Sequence, residues 1–191
     1  MKITGIVLAG GKSSRMGGAD KGLVYFKGKH LIEYSLELLG KFCKTILISS
    51  KFDRYRAFGF ELIKDEISEI GPIGGISSAL NRSKTEINIF LPCDAPFVNR
   101  ELIEYLLKEI DNYDAVVPTY KSKPQSTLLV IKKSCVDIVS EEIQKKNYKL
   151  MFPLKRMNTK FVEIDESLPF YNQQLFANFN SFSEMELFSK R

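Results

Sequence analysis

Uninterrupted apolar runs divide this chain before any single residue type does. Residues 3–9, Ile-Thr-Gly-Ile-Val-Leu-Ala, make one such run, and Thr45-Ile-Leu-Ile-Ser49 and Asn88-Ile-Phe-Leu-Pro92 make two more. Runs without apolar–polar alternation suit strands buried on both faces, as in a parallel sheet covered by helices. The intervals between them carry a helical period. Leu31, Tyr34, Leu38 and Phe42 fall on one helical face, and so do Ile103, Leu106, Leu107 and Ile110 behind the N-cap candidate Asn99. Further strands are predicted at Phe60–Asp65, Ala115–Pro118, Thr127–Ile131 and Lys160–Ile164, and a last helix at Ser181, with Glu184 placed to complete a capping box. Strand and helix alternating in this way predict an α/β fold: a doubly wound, Rossmann-like, mostly parallel sheet with helices on both faces.

Composition narrows the picture. With 191 residues, 44% hydrophobic and 27% charged, the chain has material for one sizeable core, so residues 1–191 read as a single domain. Its net charge of +5 comes from lysines and arginines spread along the length, with no block of like charge. That distribution favours an anionic small ligand, and without an aromatic RNA-binding signature, zinc-finger spacing or basic arm no specific nucleic-acid partner is expected. Cys43, Cys93 and Cys135 form no C-x-x-C pair, so reduced thiols are the simplest reading. The apolar stretch Ile6-Val7-Leu8-Ala9 is too short for a signal-peptide core or a membrane span, and the protein is expected in the cytoplasm.

The chemistry concentrates in four segments. After the first run, Gly10-Gly11 and Gly17-Gly18 bracket Lys12, Ser13, Ser14 and Arg15, with Asp20 and Lys21 beyond. Glycines at a strand exit let backbone N–H groups converge and let a phosphate approach with no Cβ in the way, while the cations neutralise it. Ile6 stands where a Walker A loop needs its first glycine, and Lys12 where a dinucleotide fingerprint needs its second, so the loop is neither of these. The second segment, Phe90-Leu-Pro-Cys-Asp94-Ala-Pro-Phe97, ends a strand in a lone carboxylate suited either to Mg2+ or to a turn. Gly71-Pro72-Ile73-Gly74-Gly75 opens a helix with small residues, for close packing or for an approaching ligand. In Phe176-Ala-Asn178-Phe-Asn180-Ser181 two amides flank a helix start. His30, the only histidine, begins a helical stretch with no evident partner, which leaves a histidine-based triad unsupported.

Together the four segments resemble the molybdenum cofactor guanylyltransferase family, the MobA-type nucleotidyltransferases. The pattern L-A-G-G-x-S-x-R-M-G-x-x-D-K-G-L is met from Leu8 to Leu23, P-C-D-x-P-F at Pro92–Phe97 and F-x-N-x-N-[ST] at Phe176–Ser181, and the G-P-L-x-G segment appears as Gly71-Pro72-Ile73-Gly74-Gly75, with isoleucine for leucine. The resemblance implies transfer of GMP from GTP to the molybdopterin-bound cofactor, with Mg2+ as cofactor and molybdoenzyme delivery proteins downstream. It assigns nucleotide binding to Leu8, Ala9, Gly10, Gly11, Lys21, Asp65 and Asp94. Phosphate neutralisation falls to Arg15 and Lys21 as the catalytic cations, the metal to Asp94 as the catalytic carboxylate, and the acceptor to Asn178 and Asn180. One departure stands out: relatives commonly have an asparagine after the second strand, where this chain reads Ser49-Ser50-Lys51. Three rival readings keep some of these features: a nucleotidyltransferase for another phosphorylated acceptor, of cytidylyl or sugar-phosphate type, a non-catalytic nucleotide-binding module, and a P-loop kinase.

Overall fold

The computed structural model describes residues 2–10, 20–64, 67, 69–179 and 188. Gly11, Arg15, Asp65, Asn180 and the helix expected from Ser181 lie outside these residues. The chain runs through β1 (Ile3–Leu8), a short hairpin of β2 (Tyr25–Phe26) and β3 (Lys29–His30), α1 (Leu31–Gly40), β4 (Thr45–Ser49) and β5 (Glu61–Ile63). It continues through α2 (Pro72–Arg82), β6 (Ile87–Pro92), α3 (Arg100–Glu109), β7 (Ala115–Tyr120), β8 (Lys123–Pro124), β9 (Leu129–Lys132), α4 (Val136–Gln144), α5 (Met151–Arg156) and β10 (Thr159–Glu163).

The main sheet has the order β10-β7-β9-β6-β1-β4-β5, with β8 paired to β7. β1 lies parallel between β4 and β6, in the registers Val7↔Ile48 and Val7↔Leu91. β9 alone on this path runs antiparallel to its neighbours β6 and β7 among the described residues. The fold is therefore the mostly parallel α/β sheet that the apolar runs predict. Helices cover both faces because strand side chains alternate. Val7, Ile48, Ile89, Val116 and Val130 pack on one face with Leu39 of α1 and Leu102, Ile103 and Leu106 of α3. Ile6, Leu8, Leu47, Phe90, Ala115, Val117, Leu129 and Ile131 pack on the other with Ile73 and Ile76 of α2, Val139 and Ile143 of α4, and Leu154 of α5.

Several boundaries differ from the expectation. α1 ends at Gly40, so Phe42 packs from the following turn. The expected strand at Thr127 begins at Leu129, and α4 and α5 follow it. Proline is tolerated inside β7 because β9 pairs with β7 only at Ala115 and Val116, short of Pro118. Asn99 does cap α3, its Oδ1 accepting from Leu102 N at 3.0 Å.

His30 is a correction. It has a partner: its backbone N–H donates to Glu33 Oε2 at 2.6 Å, and Nδ1 lies 3.0 Å from the same oxygen. The pair closes the first turn of α1, and the donated N–H lowers the Glu33 pKa, the ring assisting against burial.

Candidate active site

The carboxyl ends of β1, β4 and β6 meet at one edge of the sheet. Their pairing runs slightly past the strand ends, with Ala9 N donating to Ser49 O at 2.8 Å and Cys93 N to Leu8 O at 3.1 Å. Beyond these bonds the chains diverge, and a cavity of about 600 Å3 opens above them. Open α/β sheets place ligands at this edge. Leu8, Ala9 and Gly10 floor the cavity, Lys21, Cys93 and Asp94 form one side, and Ser49, Lys51, Glu69, Gly71, Pro72 and Gly75 the other. Asn178 and Thr127 reach it from the later chain.

Seventy-three residues of sequence separate Lys21 from Asp94, yet Lys21 Nζ donates to Asp94 Oδ2 at 3.3 Å. Both side chains are largely but not wholly buried, at 24% and 17% exposure, so they remain reachable by a ligand. Pro92, just before this turn, is held by α1: the buried Ser35 hydroxyl donates to Pro92 O at 2.8 Å. Cys93, next in the chain to Asp94, is buried, and burial first, then the Asp94 and Asp20 charges, raise its thiol pKa well above the usual value. It is therefore held as a neutral thiol.

The opposite side is built by the start of α2. Gly71 adopts φ 80°, a left-handed conformation that favours glycine, and Pro72 follows in the first turn, where its missing N–H costs nothing. Glu69, at φ 68°, is a non-glycine residue in the same unfavourable region. Lys51 adds a second cation, its Nζ 5.2 Å from the centre of the Phe52 ring.

Asn178 is placed by its neighbour. Phe179 is fully buried between Phe26 and Phe97, with ring centroids 4.7 and 5.8 Å away, which brings the returning chain back over β2 and the Asp94 turn. Of the residues predicted from sequence, the structure thus gathers Leu8, Ala9, Gly10, Lys21, Asp94 and Asn178 around one cavity. Gly11, Arg15, Asp65 and Asn180 fall outside the described residues. Ser49 and Lys51 carried a positional signal, being the residues at and just beyond a parallel strand's end. Glu69 and Tyr55, which supports Asp20 beneath the site, carried none.

Three carboxylates line the cavity, Asp20, Glu69 and Asp94. Asp94 suits a hard cation, whereas Asp20 is only 9% exposed and is taken up by the Tyr55 hydroxyl, and no cluster of three or more metal-ligating side chains occurs among the described residues. One protein carboxylate completed by phosphate oxygens and water is the usual Mg2+ arrangement, so the residues present fit Mg2+ arriving with a triphosphate.

Residues 5–157 match the family model of the MobA-like NTP transferase domain. The molybdenum cofactor guanylyltransferase of Vibrio campbellii is 32% identical over 97% of this chain and 94% of that protein. That of Shewanella putrefaciens is 29% identical over 99% and 97%. In the solved structure of molybdopterin-guanine dinucleotide biosynthesis protein A from Archaeoglobus fulgidus, a similar fold covers 98% of this chain and 97% of that one, with a TM-score of 0.81 and 26% identity. CMP:2-keto-3-deoxy-manno-octonic acid synthetase, at 12% identity and a TM-score of 0.78, shares the fold alone.

Proposed function

The chain belongs to the family of MobA-like NTP transferase domains, and on that premise we propose that it transfers GMP from GTP to the molybdopterin-bound molybdenum cofactor, releasing pyrophosphate. One observation carries the reading: a cation–carboxylate pair, Lys21 and Asp94, faces a cavity floored by the start of a glycine-rich loop and reached by Asn178. Curated relatives of nearly the same length carry the activity in their names.

An acceptor phosphate oxygen attacks the α-phosphorus in line, forming the new phosphoanhydride as the bond to pyrophosphate breaks. No side-chain nucleophile is needed, so the protein contributes positioning and charge. Lys21 neutralises charge growing on the departing pyrophosphate, with Arg15 of the loop assigned the same task by motif. Leu8, Ala9 and Gly10 hold the nucleotide, together with Gly11 and Asp65 by motif, and Asn178 and Asn180 orient the acceptor. Asp94 would hold Mg2+, which supplies further neutralisation of phosphate charge when bound.

The test is pyrophosphate release measured with each of the four triphosphates, with and without molybdopterin. Release confined to GTP with molybdopterin is expected. Release with CTP in place of GTP, or with a sugar phosphate substituted for molybdopterin as acceptor, would move the protein to the cytidylyl- or sugar-phosphate type.

A further inference from the structure

Tyr55 lies in the 3-10 segment Asp53–Phe58 between β4 and β5, and it is fully buried. Its hydroxyl donates to Asp20 Oδ1. The same hydroxyl abuts Gly22, where an added Cβ would collide with it. Asp20 and Gly22 are the two chain neighbours of Lys21. From them we infer that Tyr55 is a positioning residue: through Asp20 and Gly22 it clamps the backbone on both sides of Lys21, and so sets where the Lys21 ammonium meets the triphosphate.

Three further features favour this role over simple core filling. Asp20 is the N-cap of the 3-10 turn Lys21–Leu23, with Leu23 N donating to Asp20 O at 2.9 Å and Val24 N to Lys21 O at 3.1 Å, so a side-chain anchor on Asp20 fixes the whole turn. The Asp20 side chain is only 9% exposed, and Arg54 Nε stands 3.7 Å from Oδ2, an ion-pair distance that balances charge without a hydrogen bond. Oδ2 has no hydrogen-bond partner among the described residues, so the carboxylate's firm hold is the Tyr55 hydroxyl. A largely buried carboxylate with one neutral hydrogen-bond donor and a guanidinium only at ion-pair distance is costly as filling and sensible as an anchor. Burial raises the Tyr55 pKa, and the Asp20 charge raises it further, so the hydroxyl keeps its proton and remains the donor.

The inference rests on the proposed role of Lys21 toward a triphosphate, and the experiment separates the two. Wild type, Tyr55→Phe, Asp20→Ala, Asp20→Asn and Lys21→Ala are compared for thermal midpoint, KM for GTP and kcat. Tyr55→Phe keeps the ring and loses the hydrogen bond to a charged group, which should lower kcat/KM about ten- to a hundredfold at temperatures where the variant remains folded. In the Lys21→Ala background the same change should cost less than about twofold, since the group being positioned is already gone. Asp20→Asn, which keeps an acceptor for the hydroxyl, should recover most of what Asp20→Ala loses. Unchanged kinetics in Tyr55→Phe, independent effects in the Lys21→Ala background, or Asp20→Asn as poor as Asp20→Ala would each overturn the positioning role. Should Tyr55→Phe fail to fold, the Asp20 pair carries the test alone. Wild type inactive with every triphosphate would instead sink the proposed function.

Discussion

Lys21 Nζ lies 3.3 Å from Asp94 Oδ2 just beyond the end of β6, and each residue has a structural as well as a chemical side. Asp94→Asn keeps the size and much of the pairing with Lys21, but an amide is a far poorer Mg2+ ligand. Turnover should therefore fall by at least ~10²-fold, the usual scale for losing one electrostatic contact to the transition state, while circular dichroism and thermal midpoint stay near wild type. Steady-state pyrophosphate release checks this, and near-normal release would make Asp94 a turn residue. The thiols give a second residue-scale outcome. Cys43, Cys93 and Cys135 are buried and unpaired, and burial pushes Cys43 up to about 12 and Cys135 up to about 11, with Cys93 raised as well. Since the thiolate is the reactive form, titration with a disulfide reagent at pH 8 should find almost no reactive thiol in the native protein and all three after denaturation. Rapid native labelling would show that at least one of these buried sites opens to the reagent.

At the scale of elements, strand ends and helix starts decide what reaches the cavity. Ser35→Ala removes the α1 hydroxyl bonded to Pro92 O, so stability should drop by about 0.5–1.5 kcal/mol, read as a lower urea midpoint. A matching fall in turnover is expected because the same bond seats the Asp94 turn. On the far face, Glu142 of α4 accepts from Asn147 Nδ2 at 2.8 Å and from Arg156 of α5 at 2.7 Å. Those contacts, the Asn147 amide first, lower its pKa below the usual carboxylate value. A depressed carboxylate contributes stability that is complete above the unfolded-state pKa of about 4.3 and disappears as pH falls through the folded value. The urea-midpoint gap between wild type and Glu142→Gln should thus be larger at pH 7 than at pH 3.5. Much of this level was legible in the sequence. β1, β4 and β6 announced themselves because strands buried on both faces need unbroken apolar runs, and Asn99 and Pro72 because caps use few residue types. α4 and α5 were not, since Val136, Val139 and Ile143 form a weak stripe over only nine residues. The short β5 began and ended differently from its apolar run because edge pairing, not hydrophobicity, sets its limits. Tyr55 could not be foreseen, because a buried tyrosine reads as core until its hydroxyl is seen on Asp20.

Across the whole molecule, the two apolar clusters lock the sheet from both faces, and the cavity lies at the edge they leave open. Its lining is drawn from β1, the turn after β6, the segment after β4, the start of α2 and the returning chain at Asn178, so a ligand there adds contacts among five separate parts of the chain, beyond the strand ends where pairing stops. A ligand that binds only the folded state stabilises it by mass action. At a hundred times its dissociation constant the gain is about 2.7 kcal/mol, which for a chain of this size raises the thermal midpoint by roughly 5–10 °C. GTP with Mg2+ should give that rise, and ATP, CTP and UTP at the same concentration clearly less. Asn178→Ala should leave the GTP shift intact and reduce transfer to molybdopterin, because only the acceptor has lost a contact. If the GTP shift vanishes in Asn178→Ala, the asparagine belongs to the nucleotide's side of the cavity. A larger shift with CTP than with GTP would reassign the base preference while leaving the Lys21–Asp94 site in place.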